Sequence, residues 1–476
     1  MRFITALALF LISCQTNNQN RKTEEYNVLF ISVDDLRPEL GCYGNEVIHS
    51  PNIDKLASEG FVFNQAFCQV PVCGASRASL LTGLLPTPVR FRGYDARMDE
   101  DAPEAVILPQ HFKDNGYYTV NFGKVTHFPD DQKNCWSEEP VRLDWTKLSD
   151  GSWSTEGWRD YVTERNLEIA KNQPNNAGLP YEKAEVNDTA YVDGKNMKMA
   201  IEKLGELKQR NQPFFFALGI LKPHLPFNAP AKYWDLYTDE DIQLASNPYP
   251  PDNVPEEGLM NFGELRAYAD VPSKGLISDT LPRKLVHGYY ACVSYADALI
   301  GGLIQEMEKL DLMKNTIIVL WGDHGWFLGE HGFWCKHALY ELSARVPLII
   351  KTPGNIDPVK INTIVELVDL FPTLCEMTNL PIPENLQGKS FKKAFSEPNY
   401  KHKDYSYTRF QQGESIKMDS MRYTTYFNEG DEIKAEMLYD HRIDPDENIN
   451  VAVDSSYDDN IPPFREILRT LRKMNM

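Results

Sequence analysis

Two pairs of adjacent residues stand where a buried strand would end. Asp34 and Asp35 follow the apolar run Tyr26 to Val33, and Asp323 and His324 follow Thr316 to Gly322. Neighbouring carboxylates at the end of a buried strand are costly unless a cation neutralises them. Three carboxylates suit a hard divalent ion such as Ca²⁺. A nitrogen ligand from His324 is less usual for calcium and keeps Mg²⁺ and Mn²⁺ open. Cys73 lies four residues before Arg77, at the head of an Ala/Ser/Leu run that predicts a helix start. Backbone N–H groups and a guanidinium converge there, which favours anions. Lys124 and His127 (Gly-Lys-Val-Thr-His), Lys222 and His224 (Lys-Pro-His-Leu-Pro-Phe) and Lys336 (Phe-Trp-Cys-Lys) add cations and proton carriers. Singly, each has an ordinary reading as a turn, a solvated lysine, a core histidine or a structural thiol. At one sheet edge they read as a metal centre beside a basic anion pocket.

The elements that must place them alternate. Buried-strand patterns at Tyr26–Val33, Tyr117–Phe122, Phe214–Ile220, Thr316–Trp321 and Val346–Lys351 are separated by helical patterns. Helices are predicted at Pro51–Ser58 with Ser50 as N-cap, Leu108–Asn115, Thr189–Arg210, Lys284–Leu310 and Val365–Met377. The alternation predicts an α/β fold, a large, mostly parallel sheet sandwiched by helices. Asp34/Asp35, Lys124, Lys222/His224 and Asp323/His324 all follow strands, at the carboxyl edge where such sheets place their sites. Stretches 129–186 and 228–275 are rich in Pro, Asn, Asp and Trp and read as long ordered excursions over that edge. Beyond about 395, short alternating runs at Tyr405–Phe410, Met421–Phe427 and Glu436–Tyr439, then a helix at Pro463–Met474, predict a small antiparallel sheet with one helix.

A formal charge of −19 argues against nucleic acid and against a polyanion held over a wide surface, so an anionic substrate needs a local basic pocket. Met1 to Cys14 (MRFITALALFLISC) has the build of an export signal ending in a lipobox-like Leu-Ile-Ser-Cys. This predicts cleavage before Cys14 and a lipid anchor on it, the only membrane link expected, in a bacterial cell envelope. The expected boundaries are a signal at 1–13, a tether at 14–24, a main unit at 25–395 and a C-terminal unit at 396–476. The other seven cysteines are scattered and odd in number, which argues against a disulfide framework.

Cys73-Gly-Ala-Ser-Arg77 with Leu80-Leu-Thr-Gly83, Gly-Lys-Val-x-His, Lys-Pro-His-x-Pro-Phe, the run Asp323–Gly332 and Val365–Leu374 together resemble the formylglycine-dependent type I sulfatases of the alkaline-phosphatase superfamily, most closely the iduronate-2-sulfatase-like group. Leu438-Tyr-Asp440 and Asp444–Asn448 resemble that family's C-terminal subdomain, so the resemblance spans Tyr26 to about Asn450. It implies that Cys73 is converted to formylglycine (3-oxoalanine) by a maturation enzyme and that its hydrate attacks a sulfate ester. It implies one Ca²⁺ on Asp34, Asp35, Asp323, His324 and residue 73, with Arg77 holding the formylglycine. Lys124 and Lys336 clamp the sulfate, His224 protonates the departing ester oxygen and His127 takes a proton from residue 73. The signature departs from the usual pattern at Ala75, where proline is common, which leaves the maturation enzyme open.

The expected activity is hydrolysis of carbohydrate sulfate esters, exo-acting on oligosaccharides such as uronate 2-O-sulfates from glycosaminoglycan or ulvan-type polymers. Trp136, Trp145, Trp153, Trp158 and Tyr161 are available for sugar faces or for packing. Two other readings stay open: a phosphoester or phosphonate hydrolase on the same scaffold, and a surface lipoprotein that binds sulfated glycan without cleaving it.

Overall fold

The computed structural model describes residues 25–275, 277, 280–354, 357–429 and 432–474. The expected export segment, tether and Cys14 anchor lie outside the described residues. Seven strands form the central sheet: β1 (Asn27–Val33), β2 (Phe61–Phe63), β3 (Tyr118–Gly123), β4 (Phe214–Ile220), β5 (Thr316–Gly322), β6 (Leu348–Lys351) and β7 (Val359–Ile361). Their order is β7-β2-β6-β5-β1-β4-β3. The central strands β5, β1, β4 and β3 are parallel, while β6 runs antiparallel to both β5 and β2. The sheet is therefore mixed but mostly parallel.

All seven residues of β1 are buried, and they alternate between two apolar layers. Leu29, Ile31 and Val33 face helices α4 (Val192–Gln209) and α5 (Leu281–Lys309), where Met197, Ala200, Leu285 and Leu303 meet them. Val28 and Phe30 face α2 (Cys73–Thr82), α3 (Leu108–Asp114) and α6 (Leu370–Met377) through Ala78, Phe112 and Leu374. A strand without a polar face has to be covered on both sides, which seats it in mid-sheet. Helix α1 (Pro51–Ser58) begins at its proline as expected, but the Ser50 hydroxyl donates to the Asp54 carboxylate instead of capping a backbone amide.

Two local expectations are corrected. Val365–Met377 is not one helix: Val365–Glu366 pairs with Ala66–Phe67 as a strand, a single 3₁₀ turn follows, and α6 begins at Leu370. The Asp369 carboxylate accepts the Glu366 N–H and delays the helix. The C-terminal sheet has four antiparallel strands, β8 (Tyr405–Phe410), β9 (Gly413–Met418), β10 (Met421–Phe427) and β11 (Ile433–Asp440). Strand β9 escaped the pattern because it buries Glu414 and Ser415, polar residues at inward positions. Helix α7 (Ile461–Met474) lays Phe464, Leu468 and Leu471 on Tyr407, Ile416, Tyr423 and Leu438 of this sheet. Among the described residues, no helix is long and apolar enough to cross a membrane.

Candidate active site

Register brings the strand-end residues to one level. Val33 lies beside Gly322 and Ile220, and Gly123 beside Gly219. Asp34, Asp323 and Leu221 are therefore the next residues out along a single edge, with Lys124 one residue further in. Asp35 adopts φ 61°, a left-handed turn that aspartate tolerates better than most residues, and the chain leaves the sheet there. Gly219 is needed at this level, because a Cβ on it would meet the Lys124 backbone at 2.1 Å.

Arg77, fully buried, ties the edge together. Its Nε donates to Asp323 Oδ2 at 2.9 Å, Nη2 to Asp34 Oδ1 at 3.0 Å, and Nη1 to the carbonyls of Lys124 and Val125. Lys124 Nζ reaches Asp34 Oδ2 at 2.5 Å, and Lys336 Nζ reaches Asp35 Oδ1 at 3.0 Å. Burial alone would raise the Asp34 carboxyl, but Lys124 and Arg77 outweigh it and hold the group well below the usual carboxylate range. Burial raises Asp35 despite Lys336. Burial also pushes Asp323 up to about 7, with the repulsion of Asp34 added, against the pull of Arg77.

Cys73 is the first residue of α2 and is 3 % exposed. Burial would raise its thiol; Lys124 and Lys336, with a hydrogen bond from His127, instead hold it well below the ordinary cysteine range. Gly74 allows the chain to pass this close, since a Cβ there would meet the Tyr94 carbonyl at 2.0 Å. The other fully buried thiols behave oppositely: burial pushes Cys292 up to about 12 and Cys68 further. All seven cysteines among the described residues are free.

The donor set fits a divalent cation. Ligand atoms of Asp34, Cys73, Asp323 and His324 lie within 4.8 Å of one another, and a second such group of Asp34, Asp35 and His224 shares Asp34. His324 Nδ1 donates to the Gly325 carbonyl at 3.0 Å, which turns Nε2 to the carboxylates; burial would lower the imidazole, but Asp323 and Asp35 outweigh it and push it up to about 9. Nε2 is buried without a hydrogen-bond partner, 3.4 Å from Asp35 Oδ1 and 3.5 Å from Asp323 Oδ2. A buried imidazole nitrogen without a hydrogen bond among raised carboxyls is an arrangement that a divalent cation would satisfy.

A cavity of about 460 Å³ opens on this edge, lined among others by Cys73, Lys124, His127, His224 and Lys336. Burial lowers the His127 imidazole, and its Nδ1 is buried without a hydrogen-bond partner. Arg142 fixes the loop by donating to the carbonyls of Thr126 and His127, while its fork grips Asp144 at 2.9 and 2.7 Å. His224 Nδ1 donates to the Leu225 carbonyl at 2.6 Å, which turns Nε2 to the cavity, and Trp158 packs edge-on against the ring. Lys222, grouped with the anion-pocket cations by its sequence position, is corrected: its Nζ donates to the carbonyls of His224 and Pro226 and does not line the cavity. Those carbonyls, buried in a proline-rich turn, have few N–H donors to meet them.

Glu264 was missed. It lies in a four-residue helix of the 228–275 excursion, and its Oε1 accepts from Lys336 Nζ at 2.9 Å and faces His224 Nε2 at 3.0 Å. Its other oxygen is buried without a partner. No strand end or motif marks it in the sequence. Of the aromatics singled out, Trp145 and Trp158 line the cavity, whereas Trp136 is core and Tyr161 bonds the Leu179 carbonyl.

The family model described as "Sulfatase" matches residues 26–380, and one described as "N-sulphoglucosamine sulphohydrolase, C-terminal" matches 329–474. The chain is 34 % identical over 433 residues to iduronate 2-sulfatase of Mus musculus, covering 82 % of this chain and 76 % of that one. A solved protein in complex with its substrate D-glucosamine-2-N,6-O-disulfate superposes at TM-score 0.74 with 21 % identity, over 95 % of this chain and 98 % of that one. A phosphonate monoester hydrolase from Silicibacter pomeroyi superposes at TM-score 0.75 with 19 % identity, over 95 % and 96 %. At those identities the two structures speak for the fold alone.

Proposed function

The chain belongs to the sulfatase family and is a sulfuric ester hydrolase, and from that premise we propose that it releases sulfate from a sugar. The substrate would be a uronate 2-O-sulfate at the end of an oligosaccharide cut from a glycosaminoglycan or ulvan-type polymer, removed by exo action. One observation carries the reading. Cys73, held as a thiolate-prone residue at a helix start, shares one buried edge with a cation-ready donor set and two lysines. The likeness to iduronate 2-sulfatase over most of both chains supports the uronate.

Asp34, Asp35, Asp323, His324 and residue 73 are the proposed holders of one Ca²⁺, and Cys73 the site of conversion to formylglycine by a maturation enzyme. When present, the ion polarises a sulfate oxygen and the formylglycine hydrate supplies the nucleophilic hydroxyl. The chain's own side chains do the rest. Lys124 and Lys336 oppose the negative charge that gathers on the transferring sulfate. His127 receives the proton of the residue-73 hydroxyl at its ring. His224 Nε2 delivers a proton to the leaving ester oxygen, and Glu264 holds that ring in place. Arg77 fixes the edge through Asp34 and Asp323. A lipid anchor on Cys14 in a bacterial envelope belongs to the same proposal, and radiolabelled palmitate on the parent but not on Cys14→Ser checks it.

Protein purified from its native host, incubated with Ca²⁺ and a panel of uronate 2-sulfates, hexosamine sulfates, ulvan fragments and a phosphonate monoester, tests the reading by ion chromatography. Sulfate from the uronates is the expected result. Phosphonate turnover, or silence on every sugar, would overturn it.

A further inference from the structure

Resting on the sugar-sulfate reading above, we propose that the open groove beside the catalytic cavity seats the next sugar of the substrate, and that Arg92 reads an anionic group on it. The groove has a volume of about 1000 Å³ against about 460 Å³ for the cavity, and the two share Val72, Tyr94 and His337 as walls. A sulfated ring placed with its ester at Cys73 therefore has one continuous way out for the units attached to it. The chemistry of that way suits a charged sugar. Tyr94 is 65 % exposed, a large aromatic on the shared wall whose free face matches the C–H face of a pyranose. Its carbonyl lies close to Gly74, and its ring stands edge-on to His127 at 6.4 Å between centroids.

The charges around the groove are largely spent. Glu100 pairs with Arg97 at 3.3 Å, Glu257 with Lys434 at 2.7 Å, and Asp101 accepts the Phe91 N–H at 3.0 Å. Arg92, which lines the groove and is exposed, enters no hydrogen bond or ion pair among the described residues. Asp95, exposed beside it, is an acceptor for sugar hydroxyls. The far wall comes from the C-terminal sheet, through Phe410, Gln412 and Lys434, with Phe410 stacked on His337 at 5.6 Å. A planar guanidinium facing a groove open to an anionic polymer selects a bidentate oxyanion, a sulfate or a carboxylate.

The test uses full-length protein and two disaccharides carrying uronate 2-sulfate at the non-reducing end, one followed by N-sulfated and one by N-acetylated glucosamine. The parent is expected to prefer the N-sulfated disaccharide about tenfold in kcat/KM, expressed mainly in KM, the scale of one charge-assisted hydrogen bond. Arg92→Gln should bring that ratio near one, and Arg92→Lys should restore part of it. Arg92 is exposed and unpartnered, so folding is not at stake. Turnover of both disaccharides at equal rates by the parent, or an unchanged ratio in Arg92→Gln, would overturn the groove while leaving the sugar-sulfate reading standing. Failure of the parent on both, with 4-methylumbelliferyl sulfate still hydrolysed, would overturn that reading and the groove with it.

Discussion

Two buried clusters in this molecule are built from the same residue types and are in opposite states. At the carboxyl edge of the sheet, Asp34, Asp35 and Asp323 meet Lys124, Lys336 and His324. Behind the strand at 365–366, Glu366 and Asp369 meet Lys403 and His402. The second cluster is saturated. Asp369 accepts from the Glu366 and Lys389 amides at 2.9 and 2.8 Å and from Lys403 and His402. Glu366 accepts from Gln69, the Tyr407 amide and Lys403. Burial would raise the Asp369 carboxyl, but Lys403 and His402 carry it below its ordinary value. At the sheet edge, by contrast, Asp35 and Asp323 are raised and His324 Nε2 has no hydrogen bond. Buried charges that hold a fold are met from all sides, whereas those that do chemistry keep loose ends for what is to bind.

Exchanging one carboxylate for its amide in each cluster should have the largest and most opposed effects. Asp323→Asn is expected to lower sulfate release at least a thousandfold, on the order of losing a preorganised electrostatic contact or more. Its unfolding midpoint in EGTA should fall by less than that of Asp369→Asn, because burial and the neighbouring Asp34 already disfavour the Asp323 charge. Asp369→Asn should do the reverse, keeping sulfate release per folded molecule while losing about 3 kcal/mol of stability, since Lys403 and two amides lose their charged acceptor. Thermal unfolding and sulfate assays on both variants decide it. Equal loss of activity with Asp369→Asn would erase the distinction.

Calcium should separate the clusters next. Added at about a hundred times its Kd, it should raise the stability of parent and Asp369→Asn by about 2.7 kcal/mol and leave Asp323→Asn unmoved. Calorimetry with and without EGTA reads this without any turnover. A midpoint indifferent to calcium in the parent would remove the cation from the site.

The smallest expected effect is at Glu264, another loose end of the edge. Glu264→Gln should lower kcat about tenfold on a sugar sulfate and by less on an activated aryl sulfate, whose leaving group needs little help from His224. Equal losses on both would reduce Glu264 to packing.

Much of this arrangement was legible before folding. The apolar β-branched runs marked β1, β4 and β5 as doubly buried, and the residues just beyond them were marked as the site because parallel strands all end at one edge. The excursions were legible as coverings but not in detail. Glu264 and the Arg142–Asp144 clamp come from segments of weak periodicity, where nothing local says which side chain will face the cavity. Lys222 misled for the opposite reason. Its position after a strand matched Lys124, yet the buried carbonyls of its own proline-rich turn claimed the ammonium.

The chain composition and spacing settled which residues could act together, because strand periodicity and the helix start at Cys73 are local properties written in neighbouring side chains. Folding decided which of them are free to act. Asp-Asp and Asp-His at the sheet edge look no more reactive than Glu-Leu-Val-Asp and His-Lys far along the chain. The difference lies in how closely distant segments crowd carboxylates on one another and whether the cations they bring outweigh burial: Asp34 adds to the raising of Asp323, whereas Lys403 and His402 lower Asp369, a balance that exists only once the chain has closed on itself.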